Sequence, residues 1–253
     1  MRVLVCVQQV PDWREEISFT APEGVPQGLD PCSGYALEVA ARIRDIRPQT
    51  HITVLALEGE LALRESLAVA ADQAFLIAAP PSDPREPLFK GVILAHAVQA
   101  IEDREGTFDL ILCGQQSSDG ASGQTGPFLA QTLGRALVSK VLSVSLEEDG
   151  FLLDRETDGG VQTVEADTPC VALCTKPGWE LRHPTILRKM ASRDADIPEF
   201  STDGLAGPAP AGSIRVLQRL PARRKAGTVW IREVSGGQAA RKLLTLLEEW
   251  QIR

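Results

Sequence analysis

From Gly114 to Pro127 the chain reads Gly114-Gln115-Gln116-Ser117-Ser118-Asp119-Gly120-Ala121-Ser122-Gly123-Gln124-Thr125-Gly126-Pro127. Glycines at 120, 123 and 126 let backbone approach a ligand closely, and Ser122 and Thr125 offer hydroxyls. Pro127 suits the first turn of a helix whose free N–H groups attract an anion. Such a loop can cradle a phosphate, and the same spacing also occurs in an ordinary glycine-rich connection. A second unusual loop, Gln8-Gln9-Val10-Pro11-Asp12-Trp13, follows the apolar run from Val3 to Val7.

The residue groupings that break bonds are missing. His51 reads as a core or edge histidine, His96 as a mid-helix residue facing solvent, and His183 as a neighbour of the loop residue Arg182. None has a partner at metal-ligand spacing, and there is no H-E-x-x-H, no P-loop lysine and no nucleophile elbow. Cys170 and Cys174 flank a short apolar run and read as small packing residues. A nucleotide site without acid, base, nucleophile or metal points to binding or electron transfer.

The elements that must position these loops follow from patterning. Apolar runs of strand length (Val3 to Val7, His51 to Leu57, Ala74 to Ile77, Phe108 to Cys113) alternate with helix-period segments near 33–47, 61–71 and 88–102. A further helix begins at Pro127. That alternation predicts an α/β, doubly wound, mostly parallel sheet. In such a sheet a ligand crevice opens where neighbouring strands send their connections to opposite faces, here between the first and fourth strands, where the two loops meet. Beyond Val138 the period changes to two. Val141 to Leu146, Phe151 to Asp154, Val161 to Val164 and Cys170 to Leu173 are expected as antiparallel edge strands, with a hairpin turn at Asp158-Gly159-Gly160.

Residues 1–200 form the nucleotide-binding α/β domain in this reading, and 201–253 a linker and C-terminal arm. From Ser201 to Ser213 the chain is Gly, Ala, Pro and Ser-rich, and Ile214 to Arg232 carries six basic residues and no acidic one. A terminal amphipathic helix follows, with Ser235 and Gln238 as a capping box and Leu243, Leu244, Leu247 and Trp250 on one wide face. That face docks either on its own domain or on a partner subunit, the latter being preferred because an isolated helix of this length is marginal.

Composition bounds the function. The 253 residues are 43% hydrophobic and 24% charged, enough to bury a full core. A net charge of −8 argues against general nucleic-acid binding. Five cysteines, an odd number without a C-x-x-C pair, suggest a reducing cytoplasm. The start is not a signal sequence, and no apolar stretch approaches transmembrane length.

Taken together, Val5 to Trp13, Asp119 to Gly126 ending Gln124-Thr125-Gly126, and Arg155-Glu156-Thr157-Asp158-Gly159-Gly160 resemble the beta subunit of electron transfer flavoprotein. Leu29-Asp30-Pro31, Ser66 to Asp72, Glu180-x-Arg182, Thr185 to Met190 and Arg224-Lys225-Ala226-Gly227 extend the likeness over nearly the whole chain. The resemblance implies a fold of the adenine-nucleotide alpha-hydrolase type that pairs with an alpha subunit, which holds the redox-active FAD. It implies a nucleotide pocket made of Cys6, Asp30, Pro31, Cys32, Ser33, Glu58, Gly114, Gln115, Gln116, Ser117, Ser118, Asp119, Gly120, Ala121, Ser122, Gly123, Gln124 and Thr125. Trp13 stands where the family has a tyrosine close to the partner's flavin.

The resemblance implies that the pocket holds AMP or a second FAD. Gln124-Thr125 resembles the AMP type, whereas Gly120, Gly123 and Gly126-Pro127 resemble the electron-bifurcating type, whose small residues leave room for a flavin. Ile186 and Met190 lie in the family's partner-recognition segment, although its usual lysine-rich run is here Ala191-Ser192-Arg193-Asp194-Ala195-Asp196. The expected role is an electron carrier between a flavin dehydrogenase and an acceptor oxidoreductase. The alternatives are a stand-alone adenine-nucleotide sensor or hydrolase, and a scaffold without ligand.

Overall fold

A computed structural model describes residues 1–12, 26–78, 87–178, 182–201, 230–232 and 235–250. Trp13, Glu180, the linker from 202 onward and the basic run up to 229 lie outside the described residues. The chain divides into two compact units, Met1–Val216 and Leu217–Arg253.

The first unit is built on a nine-stranded sheet. Its elements are β1 (Arg2–Val7), β2 (Gln9–Pro11), β3 (Gln27–Leu29), α1 (Pro31–Ile46), β4 (His51–Leu57), α2 (Glu60–Val69), β5 (Gln73–Ala78), α3 (Pro87–Glu105) and β6 (Leu110–Gly114). There follow α4 (Thr125–Leu133), β7 (Ala136–Leu146), β8 (Gly150–Thr157), β9 (Gly160–Asp167), β10 (Cys170–Cys174), α5 (Ile186–Ala191) and β11 (Glu199–Ser201). The strand order is β11-β5-β4-β1-β6-β10-β7-β8-β9, while β2 and β3 form a separate antiparallel pair. Pairings from β11 to β7 are parallel, and β7-β8-β9 are antiparallel.

Local chemistry explains these elements. Strands β1, β4, β6 and β10 are continuous apolar runs because both faces of a parallel sheet are covered. One hydrophobic cluster packs α1 against one face, and a second packs α3 and α4 against the other. Helix α4 ends at Gly134, whose φ of 66° suits glycine and whose N–H donates to the carbonyls of Ala130 and Gln131. Gly126 lets α4 pack closely on β10, since a Cβ there would fall 2.3 Å from Leu173 Cδ2 and force that side chain to shift.

The structure amends the sequence reading in four places. Cys170–Cys174 is not an antiparallel edge strand: it lies inside the sheet, parallel to both β6 and β7. Its five residues are all buried, the pattern of a parallel core strand rather than of the half-exposed hairpin strands before it. The pairs β2–β3 and β5–β11 were not foreseen, and Ser201, taken as the start of the linker, ends β11. His96 is half-buried with its Nδ1 sealed from solvent instead of facing outward.

The second unit contains α6 (Gly236–Glu249), capped by Ser235, whose Oγ accepts from Gln238 N–H at 3.4 Å. Among the described residues no helix is long and apolar enough to cross a membrane.

Leu112 is fully buried on β6, in the middle of the sheet. Leu112→Ala is expected to lower unfolding free energy by about 2–5 kcal/mol, read from denaturant midpoints with the slope unchanged.

Candidate functional site

The order β4-β1-β6-β10 places the direction change of the fold between β1 and β6. The chain leaves β1 toward α1 and β4, and leaves β6 toward α4, β7 and eventually β10. Cys6 and Cys113 are register partners at the carboxyl ends of these strands. A cleft of about 70 Å³ opens above them. The sequence-predicted residues Cys6, Asp30, Ser33, Gly114, Gln115, Gln116, Ser117, Gly123, Gln124 and Thr125 line it, together with Gln8, Leu94 and Gly126.

Asp30 organises this site. It is 1% exposed and caps α1, its Oδ2 accepting from Ser33 N–H at 3.1 Å. Its Oδ1 accepts from Ser118 N–H at 2.8 Å, so one carboxylate fixes both the helix start and the glycine-rich loop. Asp30 N–H donates to Gln8 O at 2.9 Å, and Ser33 Oγ accepts from Gln8 N–H at 3.1 Å, which ties in the loop after β1. Pro31 opens α1, where its missing N–H costs nothing.

Across the cleft, Gln8 Nε2 donates to both carboxylate oxygens of Asp119, at 3.1 and 3.2 Å. Gln115 is anchored twice, its N–H donating to Cys174 O at 2.8 Å and its Oε1 accepting from Lys140 N–H at 2.7 Å. Gly114 must be glycine, because a Cβ there would lie 2.8 Å from Cys32 Cβ. Ala121 and Gly123 both have left-handed backbone, with φ of 49° and 63°. Single left-handed residues curl successive N–H groups into an anion-binding concavity. Helix α4 follows, with no side-chain cap on Gln124 and no acidic residue in its first turn, so its positive end is open to an anion.

The floor is neutral. The Cys6 thiol is pushed up by its hydrogen bond with Cys113 and by burial, and Cys32 by burial and the charge of Asp30. Burial also raises Cys170, to about 11, and Cys174. Neutral thiols are poor nucleophiles and poor metal ligands. Among the described residues no cluster of His, Cys, Asp or Glu is arranged to hold a metal ion.

Not every predicted residue meets the cleft. Glu58 sits at the end of β4 with φ of 63°, followed by Gly59 packed on Gln9, and is not among the lining residues. Cys32 lies behind Gly114, and Ser118 to Ser122 form the outer arc of the loop. Ile186 and Met190 are on α5, at 80% and 60% exposure. Sequence reasoning missed Leu94, Gln8 as the bridge to Asp119, and Lys140, whose positive φ has no signature in its residue type.

A larger cleft, about 650 Å³, lies by the start of α1, α2 and α5, with Leu29, Leu61 and Val69 in its walls and Arg64 and Lys189 beside them. It meets neither the glycine-rich loop nor α4, and so lacks the backbone N–H groups that single out the smaller one.

The model of the electron transfer flavoprotein domain matches residues 19–204. The chain belongs to the beta subunit family of electron transfer flavoproteins. It is 33% identical over 216 residues to the electron transfer flavoprotein subunit beta of Megasphaera elsdenii, covering 81% of this chain and 80% of that one. It is 31% identical over 203 residues to the caffeyl-CoA reductase-Etf complex subunit CarD of Acetobacterium woodii, with 77% and 75% covered. It is 30% identical over 228 residues to protein FixA of Bradyrhizobium diazoefficiens, with 82% and 79% covered. The matched residues run from before β3 through β11 and include the glycine-rich loop and α5.

Asp30→Ala removes the α1 cap and the acceptor of Ser118 N–H, and is expected to lower stability by about 2 kcal/mol. Amide exchange should accelerate in Ser117 to Ser122 ahead of the sheet strands. Asp30→Asn, which retains a side-chain acceptor, should lose less on both measures.

Proposed function

We propose that this chain is the beta half of a two-subunit electron carrier whose alpha subunit holds a redox-active FAD. The heterodimer takes electrons from a flavin dehydrogenase and delivers them to an acceptor oxidoreductase in the cytoplasm. The β1/β6 cleft of this chain binds AMP as a structural ligand. The observation that carries the reading is the convergence on this cleft of a buried carboxylate clamp, a left-handed glycine loop and an uncapped helix N-terminus, without any reactive group.

The chemistry of the donor set fits an adenine nucleotide. Backbone N–H groups from Gly123 into the start of α4 suit a phosphate, and the neutral surface of Cys6, Cys113 and Leu94 suits an uncharged adenosine. The cleft's 70 Å³ is small against the roughly 300–1,000 Å³ of ligand pockets. Entry therefore requires the Gln8–Asp119 bridge, which spans the two loops near the surface, to open. In this reading the chain's residues bind and orient; the flavin of the alpha subunit supplies the one- and two-electron chemistry.

A second reading places FAD in the same cleft. Gly120, Gly123 and Gly126 favour it, because small residues along the loop leave room for a larger group. Trp13 is proposed to pack on the partner's flavin and exclude water. The apolar face of α6 and the arm before it are proposed to dock on the alpha subunit. Ile186 and Met190 are proposed to anchor a donor dehydrogenase by burial, as exposed aliphatic and thioether side chains do at interface centres.

Co-expression with an alpha subunit should give a yellow heterodimer that releases, on denaturation, flavin plus AMP, or two flavins per complex in the second reading. A colourless complex that takes up no flavin would contradict the carrier. Gly123→Val forces a β-branched residue into left-handed backbone, a strain of about 1–2 kcal/mol, and should weaken nucleotide retention roughly 5–30-fold. Unchanged nucleotide content by chromatography would contradict the placement at this loop.

A further inference from the structure

Helix α5 has six residues and none of them is buried, yet it presents Ile186 and Leu187 at 80% exposure each and Met190 at 60%. A helix of that length has no intrinsic stability in water. Its hold on the rest of the unit comes from three arginines.

Arg188, within α5, reaches the end of α2. Its Nη2 donates to Leu67 O at 2.9 Å and Ala71 O at 2.7 Å, and its Nε to Ala68 O at 3.3 Å. These are carbonyls at and just past a helix C-terminus, which lack intrahelical donors and form the negative end of the helix dipole. Arg64, on α2, reaches the other way. Its Nη1 donates to Ser192 O and Arg193 O at 2.8 Å each and to Ala195 O at 3.3 Å, the carbonyls trailing α5. Each helix thus lends an arginine to the carboxyl end of the other.

Arg182, in the approach to α5, completes the hold. It donates to buried Glu38 at 2.7 and 3.1 Å and to Asp45 at 2.6 Å, both on α1. The hydrogen bonds to Asp45 and Glu38 push its pKa above the usual arginine value, and the bond from Arg182 lowers that of Asp45.

We propose that Arg64, Arg188 and Arg182 are positioning residues that hold the Ile186, Leu187 and Met190 ridge as a rigid docking surface for the donor flavin dehydrogenase. The proposal rests on the carrier reading and deepens it. A surface ordered before encounter loses less conformational entropy on binding than one ordered by the partner. The acceptors of Arg188 diverge from one another, and only a planar guanidinium with several fixed donors serves them together, whereas a lysine presents a single point charge.

The experiment uses the αβ heterodimer, reduced by a purified FAD-dependent dehydrogenase chosen because it reduces the wild-type complex with its own substrate. Arg188→Met should raise the KM for the carrier about tenfold while kcat stays within about twofold, since docking and not electron transfer is weakened. Amide exchange should accelerate over 186–195 and not in the sheet, and nucleotide content should be unchanged. Arg188→Lys, which keeps the charge but not the fork, should recover only part of the KM. Where Arg188→Met impairs assembly, Arg64→Met tests the opposite end of the same clasp.

Faster exchange with an unchanged KM would overturn the positioning role, and unchanged exchange would overturn the clasp itself. Ile186→Asp separates the two readings. If it leaves KM unchanged, the docking of a dehydrogenase on α5 is wrong; if it raises KM while the arginine variants do not, only the positioning role of the arginines is wrong.

Discussion

The two oxygens of Asp30 are the constraint on which the site depends. One holds the first turn of α1 and the other holds Ser118 in the glycine-rich loop, 88 positions further along the chain. A carboxylate with 1% exposure would be costly if unpaired, and here both of its oxygens accept backbone N–H groups. The loop after β6 therefore cannot drift from the loop after β1, and the crevice between the two strands has a defined shape. The sheet supplies the framework for this: β1 and β6 are neighbours in parallel register, so the segments that leave them begin side by side.

Within that frame the cleft is lined by backbone, neutral side chains and the one paired carboxylate of Asp30. The Cys6 thiol on its floor is pushed up by its hydrogen bond with Cys113 and by burial, and among the described residues no cluster is arranged to hold a metal ion. The groups there that suit an anion are backbone, at left-handed residues 121 and 123 and the uncapped start of α4. Membership in the beta subunit family of electron transfer flavoproteins agrees with a role in electron transfer. Helix α2 lies between the two regions. Glu65 accepts from Leu29 N–H at 2.7 Å beside the Asp30 clamp, while the adjacent Arg64 grips the residues after α5.

Much of this was legible in the residues. Continuous apolar runs such as Val3 to Val7 and Leu110 to Cys113 announce buried parallel strands, and the glycine spacing from 120 to 126 marks the loop at the change of direction. The turn at Asp158-Gly159 sits where the sequence puts it, with Thr157 paired to Gly160. The placement of Cys170–Cys174 was not legible from order along the chain. Its unbroken apolar run was the available signal, and its neighbours' alternation masked it. The strands Gln9–Pro11, Gln27–Leu29 and Glu199–Ser201 have three residues each, too few to show a period. The arginine clasp was equally hidden, since a guanidinium that caps a distant helix through backbone carbonyls leaves no pattern in the identities of its acceptors.

The most direct test of the account is a crystal structure of the heterodimer purified without added ligand, read at the carboxyl ends of β1 and β6. The account predicts density for an adenosine between the two loops, with its phosphate against the start of α4 and the Gln8–Asp119 bridge opened. An empty cleft there, or one filled by side chains of this same polypeptide while nucleotide sits elsewhere, would contradict it.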